Sequence, residues 1–181
     1  GTWSWGTGAV GGDQVFGNHV GVEELKPVFD EAMKNGLNLW DSAVVYGMGA
    51  SENVLAAFAK TCCREEVKIS TKFTPQIASD TENPVADMLA GSLARFDTDY
   101  IDIYQFHNPA SMPSDEMLSC MVKAKAQGMI RHIGVTAHRL DTALAEIESG
   151  AFETMQFPLS ALSSEKDLDL VRLCKEKNMG V

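Results

Sequence analysis

The sequence predicts an α/β protein organised around one parallel sheet, and three observations predict it. Short runs rich in β-branched and aromatic residues alternate with amphipathic helical periods along the whole chain. The runs that start at Asn38, Val67, Tyr100, Ile130 and Glu153 lie 29, 33, 30 and 23 residues apart. Crossovers of that length hold a helix and join parallel neighbours, because a parallel pair cannot be closed by a tight turn. No low-complexity linker, charge block or short repeat divides the 181 residues, so they read as one domain. The pattern suits a doubly wound sheet and a β/α barrel equally.

Each element has a local warrant. Strands are expected over Gly1 to Trp5, Asn38 to Trp40, Val67 to Phe73, Tyr100 to Phe106, Ile130 to Val135 and Glu153 to Phe157. Trp3 and Trp5 alternate on the first of these, so in a barrel only one can face the axis. The first helix sets Leu25, Val28, Phe29, Ala32 and Met33 on one face and stops at Gly36, which can take a left-handed cap. The second opens on Ser51 as N-cap and buries Val54, Leu55 and Phe58. In the third, Asn83 caps and Pro84 takes the first helical position, ahead of Val85, Met88, Leu89, Leu93 and Phe96. Three more follow: Ser114 to Gly128 over Met117, Leu118, Met121 and Val122; Asp141 to Gly150 over Leu144 and Ile147; and a last, after Ser163 and Ser164, over Leu168, Val171 and Leu173.

Composition narrows the function class. A net charge of −10 opposes binding to nucleic acid or to anionic membranes and points to small-molecule partners. No apolar run approaches the roughly 20 residues that cross a bilayer. The chain opens on Gly1 without the regions of a secretory signal, so a cytoplasmic setting is expected. Cys62 and Cys63 are adjacent, and Cys120 and Cys174 fall inside helical patterns, which makes neither a disulfide framework nor a C-x-x-C pair. His19 and His132 lack ligand spacing with any partner, so no metal site is expected.

Gly6-Thr7-Gly8-Ala9-Val10-Gly11 matches a dinucleotide fingerprint, with Asp30 at a suitable distance for a ribose contact. That fingerprint must open a helix. Here it runs into Gly12-Asp13-Gln14-Val15-Phe16-Gly17, a glycine-broken stretch with no helical face, so a loop is expected instead.

The residues just past each strand are more informative, because β/α enzymes carry their chemistry there. Asp41 follows the second expected strand, and Tyr46 lies in the loop after it; Lys72 ends the third and His107 the fourth. An acid, a phenol, an amine and an imidazole would meet at one end of one sheet. A phenol with a pKa near ~10 is a poor proton donor at neutral pH unless a cation favours its ionised form, and Lys72 suits that role. Asp41 would hold Lys72, and His107 could hydrogen-bond a substrate oxygen. On this reading Lys72→Met, and less strongly Asp41→Asn, should raise the donor's pKa.

The segment Asn38-Leu39-Trp40-Asp41-Ser42-Ala43-Val44-Val45-Tyr46-Gly47 resembles the Asp-and-Tyr segment of the aldo-keto reductase family. Gly1-Thr2-Trp3, Ile69-Ser70-Thr71-Lys72, Gln105-Phe106-His107-Asn108-Pro109, Gly128-Met129-Ile130-Arg131-His132-Ile133-Gly134-Val135 and Gln156 extend the likeness over essentially the whole chain. The resemblance implies a (β/α)8 TIM-type barrel and an oxidoreductase, with NADP or alternatively NAD as cofactor, that passes hydride from the reduced form, NADPH or NADH, to an aldehyde or ketone. It implies Asp41, Tyr46, Lys72 and His107 as the catalytic set, with Tyr46 the proton donor. Thr136 and Gln156 would hold the nicotinamide carboxamide, with Thr2, Asp41 and His138 also on the cofactor side, and Trp3 and His107 toward the substrate. Many members carry Ser-Asn after the fifth strand; here Thr136-Ala137-His138 stands there, so the Asn hydrogen bond is absent or replaced by His138.

Two rivals remain at this level: a Schiff-base enzyme using Lys72, and a cofactor-binding regulatory subunit with little turnover. A barrel of this type needs eight strands and about 250 residues. Six complete strands are expected before Met179-Gly180-Val181 starts a seventh, so the barrel is expected to lack strands seven and eight. The missing initiator Met raises the same question at the N-terminus. Such an open sheet is expected to bind NADPH weakly or not at all and to be poorly soluble.

Overall fold

The computed structural model describes residues 1–181. Five parallel strands lie side by side in chain order: β1 (Leu39–Asp41), β2 (Lys68–Phe73), β3 (Ile101–His107), β4 (Ile130–Thr136) and β5 (Thr154–Gln156). A single parallel bridge from Thr154 to Gly180 lies beyond β5. In a flat sheet, β1 and β5 would stand four spacings of ~4.8 Å apart, roughly 19 Å. Yet Gln156 Nε2 on β5 lies 3.4 Å from Asp41 Oδ2 on β1, so the sheet curls into an open half-barrel.

Helices α1 (Asp13–Phe16), α2 (Val22–Lys34), α3 (Ala50–Ala59), α4 (Pro84–Phe96), α5 (Asp115–Ala126), α6 (Leu140–Ser149) and α7 (Glu165–Glu176) connect and cover the strands. None is long and apolar enough to cross a membrane. Ser114 caps α5 by accepting from Met117 N, and Gly150 ends α6 in the left-handed region. Asn83 and Pro84 open α4 as the sequence predicts, although the Asn83 side chain makes no cap hydrogen bond. The four cysteines are free thiols.

Several expectations are corrected. Residues Gly1 to Trp5 form no strand: Thr2 donates its N–H (2.8 Å) and hydroxyl (3.0 Å) to Asp41 O, while its carbonyl accepts from Trp5 N at 3.0 Å. The chain therefore turns after two residues into a 3₁₀ turn over Trp3–Trp5, and the complete strands number five. The stretch after the glycine-rich loop makes one helical turn, α1, rather than pure loop. Ser51 is not a cap; it sits inside α3, with its hydroxyl donated to Thr2 O at 2.7 Å, and Gly49 is the N-cap. Val28 (55 % exposed), Leu144 and Leu168 point outward, because the buried stripes centre on Leu25 and Phe29, Ala143 and Ile147, and Leu170 and Cys174.

The alternation along each strand sorts the chain's chemistry. Ile69, Phe73, Tyr104, Phe106, Ile133 and Val135 pack with Leu55, Phe58, Leu89, Met121 and Ile147 of the helices in one continuous core. The alternate positions Asp41, Ser70, Gln105 and Gln156 interact with one another across the inside of the curl. Apolar burial therefore holds the helices on the convex face, while the concave face is polar.

Phe58 is buried at the centre of an aromatic cluster, 5.7 Å from Trp5 and 5.4 Å from Phe29 between ring centroids. Phe58→Ala should lower unfolding free energy by about 3–5 kcal/mol in urea titrations followed by tryptophan fluorescence. A loss below about 1 kcal/mol would show that this cluster does not anchor the fold.

Candidate active site

The strand ends converge because the ladders are in register. Asp41 pairs with Ser70, Lys72 with Gln105, and His107 with Thr136, which brings the C-terminal ends of four strands to one rim. Lys72 Nζ, only 1 % exposed, donates to Asp41 Oδ1 at 2.7 Å and to Ser42 O at 2.6 Å. The same ammonium stands 5.1 Å from the Tyr46 ring centroid. Tyr46 meets His107 edge to face at 5.8 Å. The four residues expected to act together are thus adjacent.

Tyr46 is held by a tight loop in which Tyr46 N donates to Ala43 O and Gly49 N donates to Val44 O. Gly47 takes a φ of 67°, a region that favours glycine. The glycine-rich loop after Trp5 packs on this turn: a Cβ on Gly6 would stand 2.5 Å from Tyr46 O. Its glycines serve close approach to Tyr46, and Asp30 is instead paired with Lys26 on the surface of α2.

A cavity of about 210 Å³ opens at this point, lined by Tyr46, Lys72, His107, Thr136, Ala137, His138, Gln156, Phe157 and Pro158. A second hollow of about 420 Å³ adjoins it, sharing His138, Phe157 and Pro158. Thr136, His138 and Gln156 therefore share one cavity with Tyr46, Lys72 and His107. Thr2 is not among the residues lining this cavity: it is fully buried, and its hydroxyl donates to Asp41 O, so it braces Asp41 from behind. Trp3 stacks beside Tyr46 at 6.0 Å, with Phe16 edge-on at 5.2 Å. Trp3 is 40 % exposed, whereas Trp5, 7 % exposed, packs in the apolar core against Trp40 and Phe58, and neither lies on a strand. No group of three or more His, Cys, Asp or Glu is arranged to hold a metal ion.

Burial and then the Asp41 carboxylate raise the Tyr46 phenol well above its usual value. For Asp41 the direction is opposite to the one expected, because the carboxylate acts on the phenol directly and against ionisation, while Lys72 is hydrogen-bonded to Asp41 and Ser42 O. Burial lowers the Lys72 ammonium, opposed by the charge and hydrogen bond of Asp41 and by the Glu52 charge. Burial, then Lys72, pushes His107 down to about 4, against the pull of Asp41.

The profile of the Aldo/keto reductase family matches residues 1–181. The chain belongs to that family. Among its relatives, the NADH-specific methylglyoxal reductase of Escherichia coli (strain K12) is 28% identical over 196 residues, covering 97% of this chain and 60% of that protein. The thermostable aldo-keto reductase Tm1743, crystallised with the inhibitor epalrestat, is similar with a TM-score of 0.80 at 26% identity, over 98% of this chain and 64% of its own. An aldo/keto reductase from Klebsiella pneumoniae, in complex with NADP and acetate, matches in fold with a TM-score of 0.75 at 23% identity, over 87% of this chain and 56% of its own. The chain thus spans a little over half the length of these aldo-keto reductases. Its curled sheet with outer helices has the α/β barrel architecture of these structures.

Four residues of this aldo-keto reductase site carry no sequence-level role. Thr74 Oγ1 lies 2.9 Å from His107 Nδ1, and Asn108 N donates to Thr136 Oγ1 at 2.8 Å. Ser70 Oγ donates to Asp41 Oδ1 at 3.1 Å, and Gln105 Nε2 donates to Ser70 Oγ at 2.9 Å. The available signal is the strand period: Ser70, Lys72 and Thr74, like Gln105 and His107, are spaced by two and share a face.

With a folded pKa of about 4 against a usual 6.5, His107 should stay neutral in imidazole NMR spectra down to about pH 4. The unfolded chain takes up that proton first. The stability contributed by neutral His107 is therefore complete above pH 6.5 and is lost as pH falls toward 4. A His107 titration near 6.5 would contradict the burial described here.

Proposed function

We propose that the protein containing this chain is a nicotinamide-dependent carbonyl reductase in which Tyr46 protonates the substrate oxygen. The observation that carries this reading is the convergence of Tyr46, Lys72 and His107 on one 210 Å³ cavity, with Lys72 tied to Asp41. The substrate class is an aldehyde or ketone, small enough for its carbonyl to reach the Tyr46 hydroxyl. The curled, unclosed sheet, with a bridge at Gly180 already begun beyond β5, further supports a single barrel domain that additional strands close.

The residues present fit a nicotinamide. Thr136 Oγ1 accepts from Asn108 N, which leaves its own hydrogen to donate, and Gln156 and His138 offer further polar groups on the same cavity wall. Thr136 and Gln156 would hold the carboxamide. NADP is the cofactor proposed, with NAD the alternative, by analogy with the Klebsiella structure and the Escherichia enzyme. When bound, the nicotinamide supplies the hydride.

The chain's own residues do the rest. Tyr46 stays a neutral phenol at physiological pH, because burial and Asp41 oppose its ionisation. A phenol is still a far stronger acid than an alcohol, so its proton passes downhill to an oxygen that is becoming an alkoxide. Lys72 stands over the same ring and stabilises the phenolate that remains. Neutral His107 acts in the tautomer whose Nδ1 accepts from the Thr74 hydroxyl 2.9 Å away, which keeps an Nε2 hydrogen to donate to the carbonyl oxygen. Trp3 beside Tyr46 forms an apolar substrate wall.

Tyr46→Phe tests this reading. Carbonyl reduction should fall by about 10²-fold or more, the usual worth of general acid catalysis, with NADPH binding retained. Turnover near the parent's in a steady-state assay would refute the role. Stable cofactor binding by the parent without consumption, across a broad panel of aldehydes and ketones, would favour a regulatory subunit instead.

A further inference from the structure

We propose that Gln105 is a positioning residue that fixes which end of the Gln156 amide faces the dinucleotide. The inference rests on the cofactor placement proposed above. Gln105 sits on the inner face of β3, almost fully buried, and its Nε2 lies 2.9 Å from Ser70 Oγ, 3.0 Å from Gln156 Oε1 and 3.4 Å from Asp41 Oδ1. Gln156 Nε2 in turn lies 3.4 Å from Asp41 Oδ2. These contacts tie the end of β5 to β1 by way of β3.

The reach from β3 to β5 must cross β4, and the sequence leaves a lane for it. Gln105 is in register with Gly134, and Gly134 with Thr154. A Cβ on residue 134 would stand 3.0 Å from Gln105 Cγ and would also collide with Thr154 Oγ1. Glycine at this point lets the Gln105 side chain lie over β4 and meet Gln156.

The polarity of the chain of bonds follows from its end. A carboxylate only accepts, so Gln156 must present an N–H to Asp41. Its oxygen then faces Gln105, which must answer with an N–H of its own. The two hydrogens of Gln105 Nε2 go to the two nearest acceptors, Ser70 Oγ and Gln156 Oε1. One carboxylate thereby orients two amides. Gln156 is left with a single N–H free, and so offers the cavity a donor suited to the carboxamide oxygen of nicotinamide. Without Gln105 the Gln156 amide can turn over and oppose oxygen to oxygen.

The test is a double-mutant cycle on NADPH binding in the full-length protein, read by fluorescence titration, with thermal melting as a control for folding. Gln105→Leu and Gln156→Leu should each weaken binding about tenfold, the scale of one hydrogen bond at a ligand. The double variant should bind no more weakly than Gln156→Leu alone, because Gln105 acts only through Gln156. Gln105→Glu, which keeps the shape but loses the N–H, should behave as the leucine variant does; it carries the test if the leucine variant does not fold. The proposal is overturned if Gln105→Leu or Gln105→Glu, folded, binds NADPH within about twofold of the parent. A double variant whose loss is the product of the two single losses overturns it equally. If Gln156→Leu alone leaves affinity unchanged, the failure lies in the placement of the nicotinamide at Gln156, and the coupling falls with it.

Discussion

Everything at the rim is arranged around the Asp41 carboxylate. It accepts from Lys72 and Ser70 on β2 and from Gln156 on β5, with Gln105 on β3 joined to it through Ser70 and Gln156, while its backbone carbonyl accepts both the N–H and the hydroxyl of Thr2. A buried lysine is costly unless it is paired and hydrogen-bonded, and Asp41 together with Ser42 O makes Lys72 tolerable there. The same side chain links the first and last strands of the sheet, so the curl and the site share one set of bonds.

The concave face is polar because the convex face already supplies the apolar burial. Period-two alternation gives each strand one set of residues for the helices and another for the interior, and the two are nearly independent. The core of Ile69, Phe73, Tyr104 and Phe106 fixes where β2 and β3 lie; Ser70, Lys72, Gln105 and His107 are then delivered to the interior at fixed heights. Chemistry can vary on one face without disturbing the packing on the other. The glycine-rich segment after Trp5 contributes in another way, by letting backbone pass close over Tyr46.

Much of this was legible in the sequence. Five strand positions agree with the structure to within one residue at each end, because short β-branched runs flanked by helical periods leave little freedom. Asp41, Tyr46, Lys72 and His107 were readable as strand-end residues. The first segment was not, since Gly1 to Trp5 has strand composition and only the bonds of Thr2 to Asp41 and Ser51 turn it. Ser51 has the composition of a cap, but its hydroxyl is used by a residue 49 positions away, which no local rule can detect. The supporting roles of Thr74, Ser70 and Gln105 depend on neighbours from other strands, as does the sign of the charge effect on Tyr46. Sequence order placed Lys72 and Asp41 near the phenol; only distances reveal that Lys72 is engaged by Asp41 and Ser42 O while Asp41 still acts on the ring.

That sign is the most direct point of attack on the account. Isotope-labelled tyrosine NMR can follow the ionisation of Tyr46 in the parent and in Asp41→Asn. If Asp41 organises the site in this way, the parent phenol stays protonated beyond the ordinary tyrosine range and the variant titrates at lower pH, because a negative neighbour is gone. An unchanged or higher Tyr46 pKa in Asp41→Asn would contradict the account.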